Sequence, residues 1–591
     1  MTLKERLIET KMPVGCSDFT EIIEKQKYFF DKSLLIKDLI DEDSKVILFT
    51  RPRRFGKTLN MTMLKSFFEK PLDGKDTSHY FKHLKIWQEG EKYTSEQGKR
   101  PVIYITFKDV KHSSFQGAFD AITQAIGAEF RRHTELKRSR KLEKQEKDFF
   151  NAISMEKAPA KDWQNSVAAL SKMLERHHGV KPMVLMDEYD VPIQGGFDYG
   201  YYPQIIEFMR NFMSSIFKDN TSLYMGVITG VSRVSKESLF SGLNNLNVST
   251  IFDEKFSEHF GFTEDEVKAM LEYYGVPEKY AEVKHWYDGY IFGHTEMYNP
   301  WSLINYMFHE CLPRDYWAGT SSNAMLWELV QRMNSKDKTA LYSLMQGGKI
   351  NAYVNMNIVY PDIFKDPSTA YGLLAQTGYV KATDAVFSDG MYSTQLLIPN
   401  KEIMSVYAKE AIKHIENDEA RFAADRIPPA LITGNVDSMQ RELNEFLQAS
   451  CSYLDMTEEK DYQNLMVGLL STMRTVYEIK SNREAGLGRA DILLRPRPDF
   501  VRKMPGIIIE IKHYKAEQAE KDNPEKLQAK LEEQAKDALR QIDVKNYTAE
   551  FTSVGVERII KYGASFSGKS AVVLQPEGQQ KPAPDPYSEW G

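Results

Sequence analysis

Arg51-Pro52-Arg53-Arg54-Phe55-Gly56-Lys57-Thr58 follows directly on the apolar run Val46-Ile47-Leu48-Phe49, and this junction decides the fold of the first half of the chain. A short strand feeding a Gly-Lys-Thr turn builds a phosphate cradle. Backbone N–H groups wrap the phosphates at a helix N-terminus, the lysine reaches the terminal phosphates, and the threonine hydroxyl joins a Mg²⁺ shell. Lys57 and Thr58 take those two roles, and Arg54 and Gly56 complete the nucleotide-binding set of the loop. The full pattern asks for glycine where this chain has Arg51, and Pro52 brings no N–H.

A second signal lies downstream at Pro182-Met183-Val184-Leu185-Met186-Asp187-Glu188-Tyr189-Asp190, an apolar strand ending in two adjacent carboxylates. Asp187 is the candidate to hold Mg²⁺, and Glu188 the candidate to polarise an attacking water, at the carboxyl end of a strand beside the phosphate loop. Each half taken alone also reads as a buried strand closed by a polar turn. Strand-like runs at Val46 to Phe49, Val102 to Phe107, Met183 to Met186 and Leu223 to Ile228, with helical stretches between them, predict an α/β fold with a parallel sheet. Active sites in such sheets sit at strand C-termini. Thr229 is therefore placed to sense a terminal phosphate and Arg233 to act as a charge-stabilising finger, against the plain reading of a strand end with a surface arginine.

Together with Trp286-Tyr287-Asp288-Gly289-Tyr290 and Tyr298-Asn299-Pro300-Trp301-Ser302, these segments resemble the AAA-ATPase-like family of prokaryotic proteins. The resemblance implies a P-loop ATPase domain that binds ATP and Mg²⁺. It also implies that arginine at the first loop position is the family's own pattern, and that a PD-(D/E)xK nuclease-type domain follows.

Such a second site begins near Glu478. Gly488 to Leu494 reads as a strand, Arg495-Pro496-Arg497-Pro498-Asp499 as a turn, and Gly506-Ile507-Ile508-Ile509-Glu510-Ile511-Lys512 as a second strand. The period of two sends Glu510 and Lys512 to one face, and Asp491 falls on the same hairpin. Two carboxylates can bind Mg²⁺ or Mn²⁺ while an adjacent lysine orients or deprotonates a water for attack on phosphorus. The spacing resembles the PD-(D/E)xK core with Ala490 at the nominal proline. That resemblance implies a further acid on the preceding helix, Glu459 with Glu458 and Asp461 as competitors. Gln541 and Tyr547 are read as helix-surface residues, with a place near substrate phosphate as the alternative. Gly486-Leu487-Gly488-Arg489 offers a close backbone approach to a nucleic-acid phosphate.

At 591 residues the chain exceeds one hydrophobic core, and a length prior gives about three to four domains. The divisions expected are a P-loop domain over 1–255, a helical lid over 256–330, a mixed helical connector over 331–445, a nuclease-like domain over 446–575 and a disordered tail over 576–591. Thr263-Glu264-Asp265-Glu266 has capping-box chemistry for the first lid helix. The lid's aromatic residues, Trp286, Tyr287, Tyr290, Trp301, Tyr316 and Trp317, are read as packing rather than as a base-stacking site.

A hydrophobic share of 42% with 27% charged residues describes a soluble globular protein, and no apolar run reaches the roughly 18 residues a bilayer span needs. The first residues lack a signal-peptide core. Three cysteines, at 16, 311 and 451, are too few and scattered for a disulfide framework or a Cys₄ metal site. The expectation is cytoplasmic. A net charge of −6 leaves nucleic-acid contact to local patches, and the basic run from Arg131 to Lys147 is interleaved with acids as on a solvated helix.

The sequence thus predicts an ATP-binding P-loop ATPase coupled to a metal-dependent nuclease-like domain. Its expected partners are ATP and nucleic acid, DNA ahead of RNA, with no membrane and with room for a homo-oligomer. The alternative is a non-catalytic nucleotide switch whose nuclease fold serves as a nucleic-acid or protein platform.

Overall fold

The computed structural model describes residues 3–72, 74–218, 220–234, 239, 246–317, 329, 344, 348–358, 360–413, 418–450, 459–470, 473, 476–485, 488–516, 520, 523–552, 555–576 and 578. Contacts divide the chain into two compact units. One holds residues 1–321 and 349–402 and the other residues 403–591, with the short segments between 322 and 348 shared out between them.

The first unit is built on five short strands: β1 (Val46–Thr50), β2 (Val102–Thr106), β3 (Met183–Asp187), β4 (Gly226–Gly230) and, after a two-residue β5 (Arg233–Val234), β6 (Leu246–Ser249). They form one parallel sheet in the order β2-β3-β4-β1-β6. β1, β3 and β4 are buried along their whole length, which is why their sequences read as unbroken apolar runs rather than as alternating ones. Helices cover the sheet: Phe115–Arg132 and Ser166–His178 precede β3, and Tyr202–Phe217 precedes β4 with Ile205, Met209, Phe212 and Ile216 buried. Gly230, which closes β4, has to be glycine, because a Cβ there would lie 2.7 Å from the Tyr189 ring.

Two details differ from the expectation. The fourth strand starts three residues later than the apolar pattern placed it and ends two residues later, so Thr229 and Gly230 lie inside β4. β4 also stands between β1 and β3, so the carboxylate strand is not the sheet neighbour of the phosphate-loop strand.

The region expected as a helical lid does contain helices, Glu264–Tyr274, Tyr280–Tyr287 and Pro300–Phe308. The first starts in a full capping box between Thr263 and Glu266. The region also contains a small antiparallel sheet of β7 (Phe262–Thr263), β8 (Tyr290–Phe292) and β9 (Thr295–Tyr298), in the order β7-β9-β8. Leu271, Trp286, Tyr287, Leu303 and Tyr306 form the core between these elements, so most of the aromatic cluster is packing, as its composition suggested.

The stretch 331–445 is not one helical connector. β10 (Ile350–Val354), β12 (Lys381–Ser388) and β13 (Met391–Leu397) form an antiparallel sheet, and β11 (Asn357–Ile358) pairs with β5, all within the first unit. The helices Asp418–Thr433 and Val436–Ser450 belong to the second unit. β10 and β11 pair with partners far along the chain, which local periodicity does not show. β12 and β13 instead join through the two-residue turn Asp389-Gly390, both at positive φ, a local hairpin signal that the sequence reading did not single out.

The second unit centres on a sheet of β14 (Tyr477–Ala485), β15 (Gly488–Pro496), β16 (Gly506–His513), β17 (Ile559–Ser567) and β18 (Ser570–Leu574) in sequential order. All neighbours are antiparallel except β16 and β17, whose parallel pairing requires a crossover; the helix Pro524–Val544 supplies it. Ile507, Ile509 and Ile511 face a core shared with Leu443, Tyr462 and Met466, while Ile508 faces Ile542, Tyr547 and Phe551. The tail beyond 578, Cys451 and Glu458 lie outside the described residues. Among the described residues no helix is long and apolar enough to cross a membrane.

Candidate functional site

β1 delivers the chain to the phosphate loop, and the helix Lys57–Phe68 leaves it. Gly56 has φ +81°, a left-handed conformation that glycine adopts without strain, and Arg54 takes φ +71° in the same turn. The Lys57 side chain folds back inside the loop, its Nζ donating to the carbonyls of Arg51 and Pro52 at 3.0 Å each. Burial pushes the Lys57 ammonium down from its usual range, and the carboxylates of Glu188, Asp190 and Asp187 oppose that shift.

Asp187 ends β3 fully buried and accepts three hydroxyls. Thr58 Oγ1 donates to its Oδ2 at 2.8 Å, Thr229 Oγ1 to its Oδ1 at 2.5 Å, and Thr106 Oγ1 to Oδ2 at 3.4 Å. The geometry thus brings together Thr58, Asp187 and Thr229, from three segments of the sequence, and adds Thr106, which the sequence reading did not single out. The insertion of β4 supplies Thr229 as the bridge.

Glu188 sits at φ +54°, a conformation costing a non-glycine residue about 1 kcal/mol or more, and its N–H reaches Thr229 Oγ1 at 3.4 Å. Burial raises its carboxyl above the ordinary range, with Lys57 pulling the other way. A carboxylate with a raised affinity for protons beside a buried ammonium suits a general base.

The loop's three arginines diverge. Arg51 is fully buried: its Nη1 donates to the carbonyls of Thr50 and Ser249 at 2.9 Å, and its Nη2 to Ser249 Oγ at 3.0 Å. Its guanidinium lies over the rings of Phe260 and Phe292, and burial lowers its pKa to about 9. It therefore points away from the cradle into the protein beside β6, so its bulk does not fill the place glycine keeps open. Arg54 lies 4.2 Å over the ring of Trp301, and Arg53 Nη2 donates to Gln194 Oε1 at 2.9 Å. Phe55 packs on Tyr290 and Phe292. The Trp-Tyr-Asp-Gly-Tyr and Tyr-Asn-Pro-Trp-Ser motifs thus cover the outer side of the loop.

Arg233 opens β5, with its backbone N–H donating to Gln376 Oε1 at 3.2 Å. Asp190, to which the sequence reading assigned no role, accepts the N–H groups of Val231 and Ser232 at 2.9 Å each and so holds the turn between Thr229 and Arg233 against β3.

In the second unit Asp491 on β15 and Glu510 on β16 lie one position beyond a ladder that ends at Ile492 and Ile509. The Asp491 N–H reaches Glu510 Oε2 at 3.4 Å, the Ile511 N–H donates to Asp491 Oδ2 at 2.7 Å, and Lys512 Nζ stands 3.8 Å from Glu510 Oε1. Burial raises the carboxyl of Asp491 to about 6 and that of Glu510 to about 8; the negative charge of Asp491 adds to the latter. Glu459, exposed at the start of the helix Glu459–Leu469, also pushes both upward by its charge.

Two glutamines hold this pair. Gln463 Nε2 donates to the Asp491 carbonyl at 2.8 Å and reaches Oδ1 at 3.4 Å. Gln541 Nε2 donates to Glu510 Oε1 and lies 3.5 Å from the Tyr547 hydroxyl. Gln541 and Tyr547 therefore lie beside the candidate carboxylates and not on the helix surface as expected; their i, i+6 spacing across the end of a helix gave no periodic cue. Gly486, Leu487 and the side chains of Arg489 and Asp461 lie outside the described residues.

The oxygen donors fit hard divalent cations, which take carboxylates, hydroxyls and water. Thr58 with Asp187 would hold Mg²⁺ in the first unit, and Asp491 with Glu510 a Mg²⁺ or Mn²⁺ ion in the second. Among the described residues no group of three or more His, Cys, Asp or Glu is gathered as a cation site, so waters or substrate oxygens would complete either shell. The basic run is tied down internally: Arg131 pairs with Glu156 at 2.8 Å, Arg132 with Glu129 at 2.7 Å, and Lys141 donates to the His177 carbonyl at 2.8 Å.

Comparison with known proteins identifies the two domains that carry these residues. An uncharacterised protein from the vnfD 5′ region of Azotobacter chroococcum mcd 1 is 28% identical over 332 residues, 54% of this chain and 56% of that protein's length. The match thus spans little more than half of that relative. A Walker-type ATPase of Pyrococcus abyssi aligns over 65% of this chain and 96% of its own, with 13% identity and a TM-score of 0.33. The family described as predicted AAA-ATPase matches residues 13–240, and the PD-(D/E)XK nuclease superfamily matches residues 457–575. The chain therefore joins an AAA-ATPase-like domain to a C-terminal domain of the PD-(D/E)XK nuclease superfamily.

Proposed function

We propose that the first unit hydrolyses ATP and that its nucleotide state governs a metal-dependent nuclease site in the second unit, with DNA as the favoured substrate over RNA. The observation that carries the ATPase half is the 2.8 Å bond from Thr58 to Asp187, which sets the two Mg²⁺-binding candidates side by side at the mouth of the Lys57 loop. Mg²⁺ bound there would neutralise phosphate charge. Lys57 would trade its two loop carbonyls for phosphate oxygens, and Glu188 would take the proton of a water as its oxygen bonds to the terminal phosphorus and the bond to the bridging oxygen breaks, releasing ADP. Arg54, Gly56 and Thr229 complete the expected nucleotide set, with Arg233 the expected charge-stabilising residue.

At the second site Asp491 and Glu510 would share a divalent ion, and Lys512 would hold the attacking water. One observation favours the alternative of a non-catalytic platform. Burial and the charge of Asp491 raise the Glu510 carboxyl to about 8, and Gln541 and Gln463 already bind the two carboxyls, so the pair is held by protein partners without a metal.

Phosphate release and nucleic-acid cleavage by the full chain test both halves. Glu188→Gln is expected to keep Mg-ATP affinity within a few fold and to suppress phosphate release by at least about a hundredfold. Lys512→Ala is expected to abolish Mg²⁺- or Mn²⁺-dependent cleavage while keeping metal binding, and Asp491→Ala to lose both. Equal hydrolysis by wild type and Glu188→Gln would remove Glu188 from the reaction. Metal binding without cleavage of DNA or RNA, with or without ATP, would leave the platform reading.

A further inference from the structure

The phosphate loop has a shortage of donors. Pro52 has no N–H, and the N–H of Arg51 is committed to the carbonyl of Gly230 at 3.2 Å. The first two positions of the cradle therefore offer a nucleotide no backbone hydrogen bond, and one lysine cannot offset the charge of a triphosphate. Side chains must make up the difference.

The three arginines of the loop are not equivalent candidates. Arg51 is consumed by the carbonyls of Thr50 and Ser249, and Arg54 is stacked on Trp301. Arg53, the middle one, is partly exposed, and its guanidinium is carried toward the helix Val191–Asp198, which begins immediately after the Asp187 to Asp190 segment. There Gln194 accepts from its Nη2 at 2.9 Å. The charge of Arg53 acts on both Lys57 and Glu188, the groups assigned to the terminal phosphate and its attacking water, while that of Arg54, held over Trp301, also acts on Glu188.

We infer that Arg53, positioned by Gln194, binds the terminal phosphate of the nucleoside triphosphate and supplies the cis positive charge expected of Arg233. The inference rests on the ATPase reading of this site. A guanidinium suits the task because it stays charged and presents several donors in a fixed fork. Gln194 is a positioning residue: its Oε1 fixes one edge of the fork and leaves the other donors free to turn to phosphate.

The test uses the full chain and compares calorimetric binding of Mg-ADP with that of a non-hydrolysable Mg-ATP analogue, together with steady-state hydrolysis of ATP. Arg53→Ala is expected to weaken the triphosphate analogue by about ten- to a hundredfold, leave ADP within about threefold, and lower kcat by about a thousandfold. Arg53→Lys should restore part of the binding preference, since it returns the charge without the fork. Gln194→Ala should lower kcat more than it raises KM, and Gln194→Glu, which keeps an acceptor, should recover most of that loss. Equal weakening of both nucleotides by Arg53→Ala, or no weakening of either, overturns the inference while leaving the ATPase reading standing. A preference lost in Arg233→Ala and kept in Arg53→Ala gives the role to Arg233 and overturns it as well. Failure of the wild-type chain to bind either nucleotide overturns the ATPase reading and this inference together.

Discussion

Arg51 shows how a departure from a motif is absorbed at the scale of one residue. Its guanidinium leaves the cradle and spends its donors on Ser249 and Thr50 in a fully buried site, without a carboxylate among those bonded partners. Such a site is costly to vacate, because the acceptors left behind are buried and unpaired. Arg51→Gly, which restores the residue the loop pattern nominally asks for, is therefore expected to destabilise the first unit by about 3 kcal/mol. Urea denaturation followed by intrinsic fluorescence measures this. Unchanged stability would mean that the buried hydrogen bonds contribute nothing. Glu188 illustrates the opposite case: its left-handed backbone is a local cost that the surrounding bonds of Thr229 to Asp187 and of Tyr189 to the Thr229 carbonyl maintain.

At the scale of elements, the junction of β15 and β16 sets two buried carboxyls side by side. Both have folded-state values, about 6 for Asp491 and about 8 for Glu510, above those of an unfolded chain. The folded state therefore binds more protons than the unfolded state across that interval. The stability this contributes is complete below the unfolded values, and it is lost as pH rises through 6 and then 8. A divalent ion reverses the trend, because it binds the ionised pair and releases protons. The affinity of the full chain for Mn²⁺ without nucleotide should rise by about tenfold per pH unit between 6.5 and 7.5 and level off above 8. Calorimetry in two buffers of different ionisation enthalpy would detect the released protons. A metal affinity that ignores pH, or that survives Asp491→Asn unchanged, would place the ion elsewhere.

At the scale of the whole molecule, two units with separate cores carry the two sites. Differential scanning calorimetry should then resolve two unfolding transitions, each answering to its own ligand. Mg-ATP at about 100 times its Kd should raise the first by the equivalent of about 2.7 kcal/mol, and Lys57→Ala should abolish that shift. Mn²⁺ without nucleotide should raise the second, and Asp491→Ala should abolish that one. A single transition that every ligand moves alike would show the units unfolding as one body.

Much of this protein was legible before any fold was known, because several of its devices are local. The loop before the helix Lys57–Phe68, the carboxylates ending β3, the capping box at Thr263 and the Glu510–Lys512 spacing are all specified within a few neighbouring residues, by backbone geometry and periodicity. What depended on distant partners was not legible. β11 is a strand only through its pairing with β5 far upstream, whereas the Asp389-Gly390 turn that joins β12 to β13 is a local signal standing in a stretch that otherwise reads as helical. Gln463 and Gln541 reach Asp491 and Glu510 across 28 and 31 residues of sequence, with no spacing rule to announce them. The sequence alone determined which chemical groups are available and on which elements they lie. Only the tertiary structure decided which of three neighbouring arginines is buried, which is stacked and which reaches Gln194, because each choice follows from burial and from partners supplied by remote segments.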